Sequence, residues 1–100
     1  MPVVLSPRER AHLRSRAHPL EPIVQVGQGG LSDPVVRELE RALDAHGLIK
    51  VRVNGDDRHA RQEIIAAIGA RTDAAIVHKV GKIVVLWRPM PDEQAPGSAD

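Results

Sequence analysis

The feature that most constrains this chain is a short apolar strand that runs through a glycine-rich loop into a helix. Residues 23–26 favour a strand, glycines follow at positions 27, 29 and 30, and Asp33 and Pro34 are typical of the N-cap and the first position of a helix. The glycines leave no Cβ in the way of a polyanion, and the unpaired N–H groups at the start of a helix attract negative charge. We therefore predict that residues 27–30 form a GxxG loop that holds nucleic-acid phosphates.

Hydrophobic periodicity and turn residues predict three helices and four strands. We expect helices over residues 7 to about 17, 34 to about 46 and from an Asp57 (or Asp56) cap to about 69, and strands over 22–26, 48–54, 74–80 and 83–88. Strand–helix–strand units imply parallel neighbours, and Gly81 and Lys82 indicate a hairpin between the last two strands. The order αβαβαββ predicts a single α/β domain with a four-stranded mixed sheet and three helices, and the order of the strands in the sheet stays open.

Two of the predicted strands differ in their side-chain patterns. In the second strand, Ile49, Val51 and Val53 alternate with Lys50 and Arg52, which is typical of a half-buried strand with a basic outer face. Residues 83–87 are apolar on both faces, so we place this strand near the centre of the sheet.

Composition excludes several classes of protein. The chain has no cysteine, which excludes disulfide scaffolds and cysteine-based zinc sites. Trp87 is its one aromatic residue, which argues against the base-stacking platforms of RNA-recognition motifs and oligonucleotide-binding barrels. The five histidines show no paired ligand spacing, no general base accompanies the glycine loop, and no stretch has the length of a membrane span. We expect a cytoplasmic protein that is not an enzyme and has no cofactor, metal, small-molecule substrate or membrane partner.

The charges are distributed unevenly along the chain. Residues 1–88 hold all 14 Lys and Arg and 10 of the 13 Asp and Glu, a net charge of +4, whereas residues 89–100 carry a net charge of −3. A mildly basic folded part favours anionic partners. The C-terminal segment is rich in proline and lacks an apolar pattern, so we expect a domain over residues 1–89 and a disordered acidic tail over 90–100.

The glycine loop does not fit the common nucleotide-binding patterns. A dinucleotide fingerprint would need a third glycine where Ser32 stands, and the Walker A pattern does not occur in the chain. A GxxG clamp on single-stranded nucleic acid, as in KH modules, fits the residues better. The comparison with KH modules concerns the loop alone, because their GxxG joins two helices whereas here it joins a strand to a helix.

Four segments of the chain, taken together, resemble the YhbY family, the bacterial stand-alone form of the CRM (chloroplast RNA splicing and ribosome maturation) RNA-binding domain. The segments are residues 14–22, 26–32, 48–53 and 80–89, and the resemblance spans residues 5 to 89. Trp87 stands where the family often has tyrosine. The resemblance implies an α/β fold similar to the C-terminal domain of bacterial translation initiation factor three. It also implies RNA binding through the GxxG loop and, because bacterial members are associated with precursors of the large ribosomal subunit, a role in ribosome assembly with ribosomal RNA as partner.

The candidate RNA-binding residues combine the loop with nearby cations. Backbone N–H groups of Gln28, Gly29 and Gly30, in the loop that Gly27 begins, are expected to contact phosphate with help from the positive end of the second helix. Longer-range attraction of phosphates is assigned to seven side chains: Arg14, Arg16, Lys50, Arg52, Lys79, Lys82 and Arg88. Which of these share a face with the loop stays open. The alternative is a protein-interaction module that docks through the same loop and helix edge without contacting RNA.

Overall fold

The computed structural model of this protein describes residues 4–27 and 29–90. Its helices are α1 (Pro7–Ala17), α2 (Asp33–His46) and α3 (Arg58–Thr72), and its strands are β1 (Pro22–Val26), β2 (Leu48–Val53), β3 (Ala75–Val80) and β4 (Ile83–Trp87). The order αβαβαββ and the α/β class with a four-stranded mixed sheet are confirmed. The tail predicted from residue 90 onward lies outside the described residues from position 91, as does Gln28.

The sheet has the strand order β1-β2-β4-β3. Strand β1 pairs in parallel with β2, as the crossover through α2 requires, and β4 runs antiparallel to both of its neighbours. Helix α3 carries the chain to the edge of the sheet opposite β1, where β3 lies. The hairpin then places β4 between β3 and β2. The prediction of a central position for residues 83–87 is confirmed.

The helices cover the two faces of the sheet unequally. Helices α2 and α3 pack on one face, where Leu39 and Leu43 lie with Val26, Val51 and Ile68 in a continuous core. Helix α1 packs on the other face through a smaller cluster, which contains Leu13, Ala17, Leu48, Val77 and Val85. Because α1 has only 11 residues, it shields one end of this face and leaves the remainder open.

Polar contacts hold the N-terminal half of helix α1 in place. Ser6 and Glu9 form a capping box, and the hydrogen bonds from the Ser6 backbone amide and hydroxyl lower the pKa of the Glu9 carboxyl from its usual value. The Arg10 guanidinium donates to the carbonyl oxygens of Ile76 and Val77, the latter at 3.0 Å. These contacts hold α1 against β3 where the register of β3 shifts.

The start of α2 lies one residue earlier than the sequence indicates. Ser32, not Asp33, is the N-cap, since its side chain accepts a hydrogen bond from the Val35 amide at 3.4 Å. Both residue types are good N-caps, so the pattern alone does not separate neighbouring positions. Asp33 and Pro34 consequently occupy the first turn of the helix.

Helix α3 is longer than predicted. It continues through Gly69 to Thr72 and ends at Asp73, which adopts a left-handed conformation with φ of 59°. A Cβ at Gly69 would lie 3.5 Å from Cδ1 of Ile76, so this glycine allows close packing of α3 on β3 and does not end the helix. The Thr72 hydroxyl completes the end by donating to the Ile68 carbonyl at 2.8 Å.

Candidate nucleic-acid interface

The glycine loop follows β1 directly and is closed by its own backbone. The Gly30 amide donates to the Gly27 carbonyl at 3.0 Å, and Gly30 has a φ of +87°, a conformation that strongly favours glycine. At Gly27 and Gly29 neither packing nor backbone conformation requires glycine, because φ is not in the left-handed region and an added Cβ would meet nothing within 4 Å. The open space around these two positions can accommodate an approaching chain.

Fewer amide donors point outward than the sequence suggests. The Gly30 amide is engaged within the loop, and Pro34 has no N–H. The Val35 amide donates to Ser32, and the Asp33 carboxylate already places negative charge in the first turn of α2, where it pairs with Arg71 at 3.3 Å. We therefore expect Gly30 and the start of α2 to contribute little to phosphate binding. The Gly30 and Val35 amides already have hydrogen-bond acceptors, and the Asp33 carboxylate offsets the positive end of the helix.

The loop, the end of β2 and the β3–β4 hairpin lie side by side at one end of the sheet. The Asn54 amide donates to the Val26 carbonyl at 2.9 Å, and the Val53 amide donates to the Lys82 carbonyl at 2.7 Å. The Nε of Arg52 donates to the side-chain oxygen of Asn54 at 3.1 Å, which directs this arginine toward the same end. Two of the predicted cations, Arg52 and Lys82, are thus brought to the loop end of the sheet.

The part of the sheet that α1 leaves uncovered joins this end. Strand pairing aligns Gln25 with Arg52, Arg52 with Ile83 and Ile83 with Val80 in one row across all four strands. We call this row, together with Ile23 and Lys50, the open sheet face. Its largest apolar side chains are accessible, with exposed fractions of 49% for Ile23 and 59% for Val80.

The remaining predicted cations on the α1 side are Lys50 and the two α1 arginines, Arg14 and Arg16. The Lys50 ammonium donates to the carbonyl oxygens of His18 at 3.2 Å and Leu20 at 3.0 Å, so it also ties the α1–β1 connection to β2. Arg14 and Arg16 lie on opposite flanks of α1. Arg14 lines the crevice between α1 and the open sheet face, whereas Arg16 lines a separate hollow beside β1, and Lys50 borders both.

Two of the predicted cations lie apart from this surface. Lys79 pairs across the strands with Val84, whose side chain is buried beneath α2 and α3, so Lys79 projects toward that side of the β3 edge. The Arg88 guanidinium donates to Glu40 at 2.7 Å, to Asp44 at 2.8 Å and to the Thr72 carbonyl at 2.7 Å, and its side chain is only 15% exposed. The fold thus brings Arg14 and Lys50 to the α1 side of the sheet, and Arg52 and Lys82 to its loop end, where the Lys82 ammonium pairs with Asp56 at 3.4 Å. Lys79 and Arg88 lie toward the α2–α3 side.

Several residues of this surface were not predicted from the sequence. Asn54, which positions Arg52, and His78, Val80 and Ile83, which border the crevice, are absent from the candidate binding residues predicted from the sequence. An apolar strand such as β4 gives no sign of which of its faces is covered. The alternation of His78 and Val80 along β3 is the one local signal that could have indicated them.

The described residues form neither a metal-binding cluster nor a helix that could span a membrane. Among residues 4–27 and 29–90, no group of three or more His, Cys, Asp or Glu side chains is arranged to hold a metal ion. Within the same residues, none of the helices combines the length and apolar character needed to cross a membrane.

Comparison with known proteins shows similarity along nearly the whole folded part. The chain matches the family model described as the CRS1/YhbY (CRM) domain over residues 5–88, a range that includes every helix and strand. A Haemophilus influenzae protein named RNA-binding protein is 47% identical over 85 residues, which cover 85% of this chain and 86% of that protein. The Bacillus subtilis protein YqeI, named a probable RNA-binding protein, is 33% identical over 85 residues, which cover 85% of this chain and 88% of YqeI.

A solved structure shows the same fold. The solution structure of a Staphylococcus aureus protein, described as a hypothetical protein and a candidate RNA-binding protein, aligns with a TM-score of 0.79. The two sequences are 26% identical, and the alignment covers 91% of this chain and 95% of the other.

Proposed function

This chain belongs to the CRS1/YhbY (CRM) domain family, and we propose that it is an RNA-binding protein that contacts RNA through the glycine loop and the open sheet face. The observation that carries the proposal is the arrangement of charge: Arg52 and Lys82 lie at the end of the sheet where the glycine loop begins and where Gly27 and Gly29 leave open space. The RNA-binding names of relatives that match along most of their length support the same function.

Binding of this kind recognises the RNA backbone and not the base sequence. Arginine and lysine attract phosphates regardless of sequence, and an open glycine loop lets the backbone approach within hydrogen-bond distance of the Gly29 amide. The Asn54 side chain holds Arg52 in place before RNA arrives, which reduces the entropy lost when a phosphate is bound. Trp87 packs partly buried in the α1 cluster, so base stacking on an indole is not part of this mechanism.

We take the bound RNA to be ribosomal RNA in precursors of the large subunit, as the resemblance to the YhbY family implies. The chain would then act in ribosome assembly as a binding factor without catalysis. A basic surface that reads shape and backbone suits structured ribosomal RNA, because such RNA offers closely spaced phosphates.

A protein partner is the second candidate. Ile23 and Val80 are large, exposed and apolar on the open sheet face, and exposed apolar side chains can form the centre of a protein contact. Such a contact would use the loop and sheet face without RNA. The two candidates differ in how they respond to salt.

We expect RNA affinity to fall steeply with salt. If Arg14, Arg52 and Lys82 each neutralise one phosphate, the logarithm of the association constant should fall with the logarithm of salt concentration at a slope of about −2 for a single strand. Fluorescence anisotropy with a labelled single-stranded RNA measures this slope. Arg52→Gln should make the slope shallower by about 0.7. Arg41→Gln, a change at an exposed position on α2, should leave it unchanged. A slope near zero would favour the protein partner instead.

A further inference from the structure

The crevice between α1 and the open sheet face differs from the other hollows of the molecule. We call it the α1 crevice. Its volume is about 740 Å³, and its lining includes Arg14, His18, Lys50, His78, Val80 and Ile83. Sites for small organic ligands typically have volumes of about 300 to 1,000 Å³, so the crevice has room for a nucleoside and its phosphate.

The charges of the α1 crevice favour an anion. Arg14 and Lys50 contribute two cations, and none of the described residues that line the crevice carries a carboxylate. By contrast, the hollow beside β1 includes Glu21, the hollow beside α3 includes Asp73, and the hollow at the β2–α3 turn includes Asp56 and Asp57. The α1 crevice can therefore receive a phosphate without repulsion from a neighbouring acid.

The floor of the crevice suits a flat apolar group. Val80 and Ile83 pair directly across β3 and β4, and Val80 is more than half exposed although it is a β-branched apolar side chain. The His18 and His78 rings border this floor, and an imidazole is planar and can stack on a nucleobase. An unpaired base placed here would cover apolar surface while its phosphate lay near Arg14.

Resting on the proposed function, we propose that the α1 crevice holds one unpaired nucleotide of the bound RNA. The base lies on Val80 and Ile83 beside the His78 ring, and the phosphate pairs with Arg14. Ile83 is two strands away from β1, a distance of about 10 Å at the usual strand spacing, so one RNA strand can cross from the glycine loop over Arg52 to the crevice. The rest of the surface binds the RNA backbone, and the α1 crevice adds a preference for single-stranded RNA.

The direct test is the amide spectrum of the ¹⁵N-labelled full chain during titration with RNA. The probes are a single RNA strand of about twelve nucleotides and the same strand annealed to its complement, whose stacked bases cannot enter a crevice. We expect the single strand to shift the amide signals of Gly29, Arg52 and His78, and the duplex to shift those of Gly29 and Arg52 but not that of His78. Equal shifts of the His78 signal with both probes would overturn the inference.

Substitution of His78 gives a second, independent readout. His78→Ala should weaken single-strand binding about tenfold, which is the size of one base-stacking contact, and should leave duplex affinity unchanged. His59→Ala is the matched control, because the His59 side chain is 84% exposed on α3. Unchanged single-strand affinity in a His78→Ala variant with a native amide spectrum would overturn the inference.

These results separate the inference from the proposed function. If RNA shifts the Gly29 signal and leaves the crevice signals unmoved, the RNA-binding function stands and the nucleotide site is wrong. If neither RNA probe shifts any signal, the proposed function is wrong and the nucleotide site is wrong with it.

Discussion

Replacing Gly29 by aspartate is expected to weaken RNA binding at least about tenfold, because a carboxylate would stand where phosphate approaches and like charges in contact repel strongly. The free energy of unfolding should stay within about 0.5 kcal/mol of wild type, since a side chain at this position meets nothing within 4 Å and the backbone is not left-handed. Anisotropy titration measures the first quantity and chemical denaturation the second.

Two matched variants show whether charge at this place causes the loss. Gly29→Ala adds a side chain without charge and should bind RNA nearly as well as wild type or a few-fold more weakly. Gln62→Glu adds the same charge at an exposed position on α3 and should leave affinity unchanged. Wild-type affinity in Gly29→Asp, or an equal loss in Gln62→Glu, would contradict a contact at the glycine loop.

Replacing Arg88 by methionine is expected to lower the free energy of unfolding by about 2 kcal/mol without changing the RNA affinity of the folded protein. The substitution removes a largely buried guanidinium that joins α2, β4 and the end of α3 through Glu40, Asp44 and the Thr72 carbonyl. Urea denaturation measures the loss of stability, and anisotropy at low denaturant measures the affinity.

Arg52→Met is the counterpart on the other face. Arg52 is exposed and its one described hydrogen bond joins it to Asn54, so we expect reduced RNA affinity and a change in unfolding free energy of no more than about 0.5 kcal/mol. If Arg88→Met reduced the affinity of folded protein more than Arg52→Met, the interface would have to lie on the α2–α3 side.

Local sequence patterns predicted the elements of the fold well. The alternation in β2 assigned Ile49 and Val51 to the core and Lys50 and Arg52 to the opposite face, because strand side chains alternate regardless of tertiary context. The strand that leads into Gly27 followed from an equally local rule. The order β1-β2-β4-β3 could not be predicted, because a hairpin can join either edge of a sheet.

The grouping of cations depends on contacts between distant parts of the chain. Arg88 ends an apolar strand and resembles a surface cation in sequence, but its carboxylate partners lie on α2, 44 and 48 residues away. Arg14 and Arg16 are close in sequence, but two positions correspond to about 200° of rotation on a helix, and they line different hollows. No periodicity within one element reveals which side chains meet across the sheet.

If RNA lies on the glycine loop and the open sheet face, crosslinking of the full chain in living cells should show both segments in contact with it. Ultraviolet crosslinking followed by peptide mapping identifies the protein segments that touch RNA, and sequencing identifies the RNA. We expect crosslinked peptides from residues 27–31, from β2 around Arg52 and from the β3–β4 hairpin, joined to ribosomal RNA of large-subunit precursors. Crosslinks confined to the outer surfaces of α2 and α3 would show that RNA binds elsewhere on the protein.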